Sequence, residues 1–435
     1  MRTLDSQIDE IACRHLRRNF LLGVCNGVLF NLASALTETS LVLSWFVSQL
    51  TGANFLIGLI GPIRDGGWFL PQFLISGYLQ RQQRKLPLYN TVAVVRSLSW
   101  GAMALSVFLV RDRRWLLLFF YLFLTITSLS AGFAGLSFMD IVGKTIPPRR
   151  RGSFFAMRLF FGGIAALGGS ALVSYLLGGR SGLDFPINYA VLMFASFVVI
   201  SLAMGSFGLV VEPVEVVNSE RVPLIRQLRR GVNLPRHDPN FRRFLIVRLS
   251  LMLAEMATPF YIVYAQRAFQ VPASMLGIYQ TGLTLASVLS NLAWGQISDR
   301  QGNRRLVRVS TLMGMAMPLV ALTMAPLNRL VPSLHGAIPY LFSMIFVLLG
   351  GYRSGTTIGN INYLLEIVPA EERPLYIGFT NTVLGIGMFV SSVGGLIVDL
   401  AGFAVLFCLA LILYGLAFLV SFRLQEPRSM ELEIG

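Results

Sequence analysis

Long apolar segments dominate this sequence and limit the folds that are open to it. Twelve segments have the 20 or so mostly apolar residues that a helix needs to cross a bilayer. They lie at residues 20–47, 55–80, 88–110, 116–143, 153–177, 188–211, 241–265, 273–298, 306–327, 337–364, 375–399 and 402–423. Only 13% of the residues are charged, against about 25% in soluble domains, so the chain cannot cover these segments with a polar surface. The sequence predicts an all-α membrane protein with twelve transmembrane helices.

The connections divide the chain into two halves. Most are shorter than a dozen residues, but 212–240 is longer, polar and rich in arginine. We therefore expect an N-terminal tail (1–19), a six-helix bundle (20–211), a central loop (212–240), a second six-helix bundle (241–423) and a C-terminal tail (424–435). The first apolar segment is too long for the core of a signal peptide and no A-x-A site follows it, so we expect it to stay in the membrane.

Basic residues are distributed unevenly between the two sides of the predicted bundle. The chain carries 36 Lys and Arg against 21 Asp and Glu, a net charge of +15. The connections on one side hold 25 of these basic residues, and those on the other side hold 6. The positive-inside rule places the richer side, with both termini, in the cytoplasm. Because topology accounts for the basic residues, no nucleic-acid partner is expected.

The two halves repeat part of their sequence. The loop 146–151 of the first half aligns with the loop 368–373 of the second. The two loops are 222 residues apart, and at a separation of 218 residues Gly77 aligns with Gly295. Internal repeats in a chain with many spans are typical of secondary transporters, whose sites lie at the interface between repeats.

One connection carries a recognisable motif. Residues 295–305 read Gly-Gln-Ile-Ser-Asp-Arg-Gln-Gly-Asn-Arg-Arg and resemble the G-x-x-x-D-R-x-G-x-R signature of the major facilitator superfamily. The loops 147–152 and 369–374 are similar to the P-x-x-x-R loops of that family after spans 4 and 10. With the twelve spans and the central loop, the resemblance covers essentially the whole chain. It implies two pseudo-symmetric six-helix halves around a central cavity and transport by alternating access.

The equivalent connection between spans 2 and 3 departs from the signature. It keeps Gly77 and the basic residues Arg84 and Lys85, but Arg81 stands where the acid is expected. We interpret these basic residues as ordinary positive-inside charge. The family's arginine motif of span 4 and the G-x-x-x-G-P pattern of its drug antiporters are both missing, which counts against a drug–proton antiporter.

Residues at the predicted cytoplasmic helix ends are candidates for a role in conformational change. In the signature, Gly295 would let two helices approach closely. Asp299 and Arg300 would bond neighbouring helix ends in one conformation and release them in the other. The pair Asp140 and Arg158 fits a gate or a structural anchor equally well. The further candidates are Arg304 in the signature and Arg151 and Arg373 in the P-x-x-x-R loops.

Ionisable side chains occur well inside the predicted spans, where each costs about 2.5–3.5 kcal/mol unless it faces protein or water. They are Glu38, Arg64, Asp65, Arg96, Asp140, Arg158, Arg248, Glu255 and Arg353. The resemblance implies that spans 1, 4, 7 and 10 line the cavity, which would place Glu38, Glu255 and Arg353 there. The polar residues expected beside them are Asn31, Ser34, Thr127, Ser130, Ser137, Thr357 and Asn360. The alternative is a salt bridge from Arg353 to one of the two acids that only holds the halves together.

Three of the acids are candidates for proton coupling. A low-dielectric environment favours the neutral form of a carboxyl group, so such a group can take up and release a proton near neutral pH. Glu38 and Glu255 fit this role because of their predicted place in the cavity. Asp65 is a third candidate, with a structural network that includes Arg96 as the alternative.

The sequence thus predicts a secondary active transporter, a symporter or antiporter, for a small solute in the cell (inner or plasma) membrane, driven by protons. The expected partners are a small-molecule substrate, protons and membrane lipids, and we expect a monomer. The three cysteines and three histidines have no metal-ligand spacing, so neither a metal nor a cofactor is expected, and no constellation suggests an enzyme. Three alternatives stay open: an exporter or flippase of lipophilic, drug-like or lipid compounds, a transporter-like receptor that moves no solute, and a channel.

Overall fold

The computed structural model describes residues 13–69, 71, 82–214, 224–369 and 372–426. Every regular element in these ranges is a helix. Nine helical stretches of this part of the chain are long and apolar enough to cross a membrane. The predicted class of an all-α protein with several membrane-spanning helices is therefore confirmed, and the number of twelve spans stays a prediction. Gly77 and Arg81 of the degenerate signature lie outside the described residues.

Fifteen α-helices lie in the described part of the chain. The first seven are α1 (Leu16–Leu36), α2 (Ser44–Leu50), α3 (Asn54–Gly61), α4 (Leu86–Leu109), α5 (Arg113–Thr145), α6 (Pro148–Leu177) and α7 (Ile187–Gly208), with π-helical turns at Thr39–Leu43 and Pro62–Gly66. The next eight are α8 (Leu224–His237), α9 (Pro239–Ala254), α10 (Thr258–Phe269), α11 (Met275–Gln301), α12 (Asn303–Leu330), α13 (Ile338–Ile367), α14 (Arg373–Val390) and α15 (Val393–Ser421), with 3-10 turns at Glu255–Ala257 and Pro332–Leu334.

Three predicted spans are not among the nine apolar stretches. The segment 55–80 runs from α3 into residues that are mostly outside the described ranges. The segment 273–298 forms the continuous helix α11, which is less apolar than the others because it carries Gln280, Thr284, Ser287 and Asn291. The segment 375–399 is interrupted between α14 and α15. Within α15 the backbone leaves the helical region at Gly402, with a φ of 82°, where the sequence predicts the turn between the last two spans.

The chain divides into two compact units. The first comprises Met1–Glu38 and Ile63–Arg221, and the second comprises Thr39–Pro62 and Val222–Gly435. In the first unit α1 packs along α6 and α7, and α4 packs against α5 and α7. In the second unit α13 packs against α11 and α12, while α15 contacts α3, α9 and α12. Residues 39–62 therefore pack with helices from the far half of the chain, although they lie within the predicted first bundle.

Glycines allow the closest helix contacts within each unit. On the α1–α6 interface, a Cβ atom at Gly162 would lie 2.7 Å from Asn31 Nδ2. On the α11–α13 interface, a Cβ atom at Gly350 would collide with the carbonyl oxygen of Leu283. Small residues at these positions let the helix backbones approach, which is the usual basis of helix association in a membrane.

Candidate functional site

A cavity of about 310 Å³ lies within the first unit, among α1 and α4 to α7. Four charged side chains line it: Arg64, Asp65, Arg96 and Arg158. Its walls also carry Phe30, Trp68, Trp100 and Phe138 as aromatic residues, and Asn26, Ser34, Tyr89, Thr127 and Ser128 as polar ones. The cavity thus combines an excess of positive charge with a largely aromatic surface. Of the residues predicted for the substrate cavity from the sequence, Ser34 and Thr127 line it.

Arg158 is held firmly in this cavity. Its Nη1 atom donates to Asn26 Oδ1 at 3.0 Å and to the carbonyl oxygen of Gly23. Its guanidinium also lies over the ring of Phe138, 4.6 Å from the centroid, where the ring face attracts a cation. These contacts fix Arg158 between α1 and α5 within the first unit.

Arg96 reaches the same cavity with fewer hydrogen bonds. Its guanidinium lies 5.1 Å from the ring centroid of Phe30. The Nε atom of Arg96 is buried, and no described residue accepts a hydrogen bond from it. The hydroxyl of Thr127, on the facing helix α5, is likewise buried without a partner in the described part of the chain. Two polar groups that find no partner among the described residues therefore line one cavity, which is uncommon for buried polar atoms.

The first span is interrupted at Glu38. Helix α1 ends at Leu36, and a π-helical turn begins at Thr39. Arg64 Nη1 donates a hydrogen bond to the carbonyl oxygen of Thr37 at 2.9 Å. An arginine of the cavity thus bonds a backbone carbonyl at the point where the helical hydrogen-bond pattern breaks. Glu38 is half-buried beside this break. The predicted coupling acid thus lies outside the regular hydrogen-bond ladder of its span.

The seventh span, the repeat partner of the first, is interrupted at Glu255. Helix α9 ends at Ala254, and a 3-10 turn follows over Glu255–Ala257. Because Pro259 has no N–H to donate to the carbonyl of Glu255, the α-helical ladder cannot run unbroken through this point. The Glu255 side chain is exposed and accepts a hydrogen bond from Tyr352 Oη at 2.9 Å.

The other cavity candidates of the first unit lie on α1 and α5. Asn31 Nδ2 donates to the carbonyl oxygen of Gly27 at 2.8 Å. Ser130 is buried, and Ser137 is fully buried and donates to the carbonyl oxygen of Phe133 at 3.2 Å. These three side chains bond to or pack within the helices, and their role in a substrate cavity stays a prediction.

The other cavity candidates of the second unit lie on α13. Arg353 is half-buried, and Thr357 is exposed and donates to the carbonyl oxygen of Arg353 at 2.7 Å. Asn360 is only 2% exposed, and neither its amide nitrogen nor its oxygen has a partner among the described residues. Asn360 is therefore a polar group of this helix that a solute or water could still satisfy.

Asp140 belongs to a charge network at the predicted cytoplasmic helix ends. Its Oδ2 atom lies 2.9 Å from Lys144 Nζ and 3.1 Å from Lys85 Nζ. Glu212 is buried and accepts from the backbone N–H groups of Lys85, at 2.9 Å, and of Leu86, at 2.8 Å. Its Oε1 atom also lies 3.5 Å from Lys144 Nζ. Glu212 thus caps the start of α4 and completes a network of two acids and two lysines.

Two interpretations of this region need correction. Asp140 and Arg158 do not pair with each other, because Asp140 bonds the lysines and Arg158 is held inside the cavity. Lys85, interpreted from the sequence as ordinary positive-inside charge, is only 4% exposed and belongs to the network. A buried lysine needs a nearby carboxylate, and Asp140 supplies one.

The signature segment joins α11 to α12. Asp299 and Arg300 are exposed. Arg304 Nη1 donates to the carbonyl oxygen of Leu424 at 3.1 Å, and its Nε atom lies 3.5 Å from Glu426 Oε2. Arg304 therefore ties the start of α12 to the chain that follows α15.

The surroundings of Gly295 differ from the close helix contact that the signature predicts. Apart from its chain neighbours and the backbone of its own helix, no described atom lies within 4 Å of the position that its Cβ would take. The close helix approach predicted for this glycine is therefore not made in this conformation, and there is room here for a larger side chain.

The two P-x-x-x-R loops make the same contact in the two units. Arg151 Nη2 donates to the carbonyl oxygen of Gly143 at 2.5 Å, at the end of α5. Arg373 Nη2 donates to the carbonyl oxygen of Leu365 at 3.1 Å, at the end of α13. The donors Arg151 and Arg373 are 222 residues apart, and so are the acceptors Gly143 and Leu365. This is the separation that aligns the two loops in the sequence, so the structure reproduces the sequence repeat. A cation at a helix C-terminus is also favoured by the helix dipole.

Asp399 holds residues 54–55 inside the second unit. Its Oδ1 atom accepts from the backbone N–H of Asn54 at 3.2 Å and from Asn54 Nδ2 at 2.7 Å. Its Oδ2 atom accepts from the backbone N–H of Phe55 at 3.1 Å, and Arg267 Nη1 donates to Asn54 Oδ1 at 3.0 Å. Asp399 therefore caps α3 from a helix that is far away in the sequence.

Sequence reasoning assigned no role to Glu212 or Asp399. Both lie at the ends of predicted spans, where an acid is usually solvated. The repeat offers a signal for the first, because Glu212 and Glu426 each follow the last helix of a unit and each lie close to the start of a helix. No comparable signal marks Asp399, since its partner lies near the other end of the chain.

Comparison with known proteins supports the family resemblance. Residues 244–434 match the family model of the Major Facilitator Superfamily. No curated protein matches the chain at a significant level. The second part of the sequence therefore supports the resemblance to this superfamily.

Solved transporter structures share the fold. The nucleoside transporter NupG is 14% identical, with a TM-score of 0.69 over 93% of this chain and 98% of that chain. A D-xylose-proton symporter is 16% identical, with a TM-score of 0.67 over 95% of this chain and 99% of that chain. An auto-inhibited POT family peptide transporter is 11% identical, with a TM-score of 0.66 over 94% of this chain and 96% of that chain. At these identities the similarity establishes the fold alone.

Proposed function

We propose that the chain is a secondary active transporter, which moves a small solute across the cell membrane by alternating access. The proposal includes twelve spans in two halves, 20–211 and 241–423, with both termini in the cytoplasm. One observation carries it: a cavity of about 310 Å³ inside an apolar bundle is lined by four charged side chains. Such residues are costly in hydrocarbon, and in membrane proteins they commonly mark the pathway of a substrate or ion. The family match and the transporter folds favour this function over an enzymatic one.

Proton coupling is the second part of the proposal. Glu38 and Glu255 both occupy breaks in their spans, the first and the seventh, which are the first spans of the two halves. Interrupted helices at mid-membrane are a recurring device by which secondary transporters hold substrates and coupling ions. Asp65 is the third candidate, because it lines the charged cavity of the first unit. Protonation of one of these acids would neutralise it and alter its bonds to neighbouring groups, such as that between Tyr352 and Glu255.

The gating residues complete the proposed mechanism. Arg151 and Arg373 hold equivalent helix ends, and Arg304 holds the start of α12. We propose that these contacts, together with Asp299, Arg300 and the network around Asp140, break and re-form as the transporter changes conformation. Contacts at helix ends suit this purpose because a small shift removes them without disturbing the helix interior.

Transport and coupling are tested in proteoliposomes that contain the purified full chain. Radiolabelled glucose, uridine, dialanine and benzoate are offered with and without an imposed pH gradient, and we expect one of them to accumulate only with the gradient. Moving one charge through a potential of 100 mV supplies about 2.3 kcal/mol, which allows roughly fifty-fold accumulation of the solute. Glu38→Gln and Glu255→Gln should reduce the gradient dependence, and Glu372→Gln, which changes an exposed loop acid, should not. Proton coupling by Glu38 and Glu255 is refuted if both glutamine variants keep the full dependence on the pH gradient.

A further inference from the structure

The charge of the cavity in the first unit is unbalanced. Arg64, Arg96 and Arg158 line it together with a single carboxylate, that of Asp65, so its lining carries two excess positive charges. Cations taken out of water are stable only when anions or several hydrogen-bond acceptors compensate them. The excess favours an anionic occupant over a neutral or cationic one.

The three arginines differ in how far the protein already uses them. Arg158 bonds Asn26 and the carbonyl of Gly23, and Arg64 bonds the carbonyl of Thr37. Arg96 instead has a buried Nε atom to which no described residue offers an acceptor. Because a guanidinium presents several N–H donors in one plane, Arg96 can bind both oxygens of a carboxylate in a fork.

A second unsatisfied group lines the same cavity. The hydroxyl of Thr127 is buried and lacks a partner among the described residues, although it can donate as well as accept. Arg96 lies on α4 and Thr127 on α5, and these helices pack against each other. A carboxylate bound to Arg96 would therefore find another donor on the neighbouring wall.

The remaining walls suit a flat apolar group. Trp68, Trp100, Phe30 and Phe138 contribute aromatic surface to the cavity. Aromatic rings pack favourably against other rings in edge-to-face or offset geometry. A cavity of about 310 Å³ is at the small end of ligand pockets, which span about 300–1,000 Å³, so the occupant must be small.

We propose that this cavity binds a small aromatic carboxylate, with its anionic group on Arg96 and Thr127 and its ring between the aromatic walls. This inference rests on the proposed transport function and specifies the substrate class. Asp65 disfavours a second negative charge on the ligand, which is why a carboxylate suits the site better than a phosphate dianion. Arg158 and Arg64 keep their structural bonds and supply the surrounding positive potential.

Binding to the purified full chain in detergent tests the inference without any transport step. Benzoate, phenylacetate and 3-phenylpropanoate are compared with their amides, with benzylamine and with phenyl phosphate by thermal shift and titration calorimetry. At least one acid should stabilise the protein, and its amide should bind about tenfold or more weakly, because it lacks the charge that pairs with Arg96. The inference is overturned if none of the acids binds, if acids and amides bind equally, or if benzylamine or phenyl phosphate binds more tightly than every acid.

Variants then locate the site. Arg96→Gln should weaken binding of the acid about 10- to 100-fold, and Thr127→Val about threefold, while Arg111→Gln in an exposed loop should leave it unchanged. If Arg96→Gln does not fold, Arg96→Lys keeps the charge but not the planar fork and should still weaken binding. Unaltered binding in a folded Arg96 variant would refute the assignment.

The same ligands separate this inference from the transport proposal. An aromatic acid that binds through Arg96 but is not moved into proteoliposomes would leave the site intact and refute transport. Gradient-driven uptake of glucose, uridine or dialanine without binding of any aromatic acid would support transport and refute the substrate class.

Discussion

Glu212 should be one of the most sensitive positions in the first unit. Its side chain is only 1% exposed, and it accepts hydrogen bonds from two backbone N–H groups at the start of α4. It also faces Lys144, whose other carboxylate partner is Asp140. The change to alanine would remove the acceptor of both N–H groups and one of the acids that lie beside Lys144. This combination of a lost cap and an unbalanced buried charge is a strongly destabilising type of substitution.

The magnitude follows from these contacts. Loss of a helix cap costs about 0.5–2 kcal/mol, and breaking a buried ion pair costs about 3–5 kcal/mol. The ion pair is long, at 3.5 Å, and the side chain of Asp140 is 41% exposed, so water can replace part of the loss. We therefore expect a total of about 2–4 kcal/mol for Glu212→Ala. With about 2–4 °C per kcal/mol for a unit of this size, Tm should fall by about 5–15 °C.

Thermal unfolding of the purified protein in detergent, followed by tryptophan fluorescence, measures this effect. Glu212→Gln keeps the shape and one acceptor oxygen, so it should unfold between the wild type and Glu212→Ala. Asp112→Ala is the matched control, because it removes an exposed carboxylate that caps α5 through two backbone N–H groups, and it should cost about 1 kcal/mol. The reasoning fails if the Tm of Glu212→Ala lies within about 2 °C of the wild type, the shift expected from the ~0.5 kcal/mol of a surface substitution, or if Asp112→Ala lowers Tm by as much.

Three further substitutions probe the second unit. Asp399→Ala should speed amide hydrogen exchange at the start of α3 about 5- to 30-fold, as expected for about 1–2 kcal/mol of lost capping, and unchanged protection would contradict the cap. Gly350→Ala should strongly reduce the yield of folded protein because its Cβ would meet a backbone carbonyl, whereas Gly295→Ala should fold normally; equal yields in expression and gel filtration would refute this contrast. Tyr352→Phe should lower gradient-driven uptake several-fold without unfolding the protein, whereas Tyr261→Phe, which removes a buried hydroxyl that has no described partner, should be neutral in the same assay.

The sequence predicted the features that depend on local composition. The apolar segments identified the helices, and the repeat identified Arg151 and Arg373, which make the same contact in both units. The cost of charge in a membrane drew attention to Glu38 and Glu255, which prove to interrupt their spans. The helices could be predicted because the composition of an apolar segment already limits what the segment can form, and the roles of the four charged residues stay predictions.

Pairing between distant residues could not be predicted in the same way. The sequence indicated that Arg96 and Arg158 lie within spans, but it did not show that both face one cavity with Trp68 and Trp100. It also suggested a pair of Asp140 with Arg158, whereas Asp140 bonds Lys85 and Lys144. Such choices depend on helix rotation and tilt, which hydrophobic patterning leaves undetermined when a helix is apolar on all sides.

The capping of Asn54 by Asp399 also affects biosynthesis. These residues are separated by 345 positions, and translation at about 5–20 residues per second leaves an interval of about 17–70 s between them. During that time the N–H groups at the start of α3 have to bond to water, lipid headgroups or the insertion machinery. A ribosome that stalls within the second half of the message would release a chain with these groups still uncapped, which offers membrane proteases a way to distinguish unfinished products from complete ones.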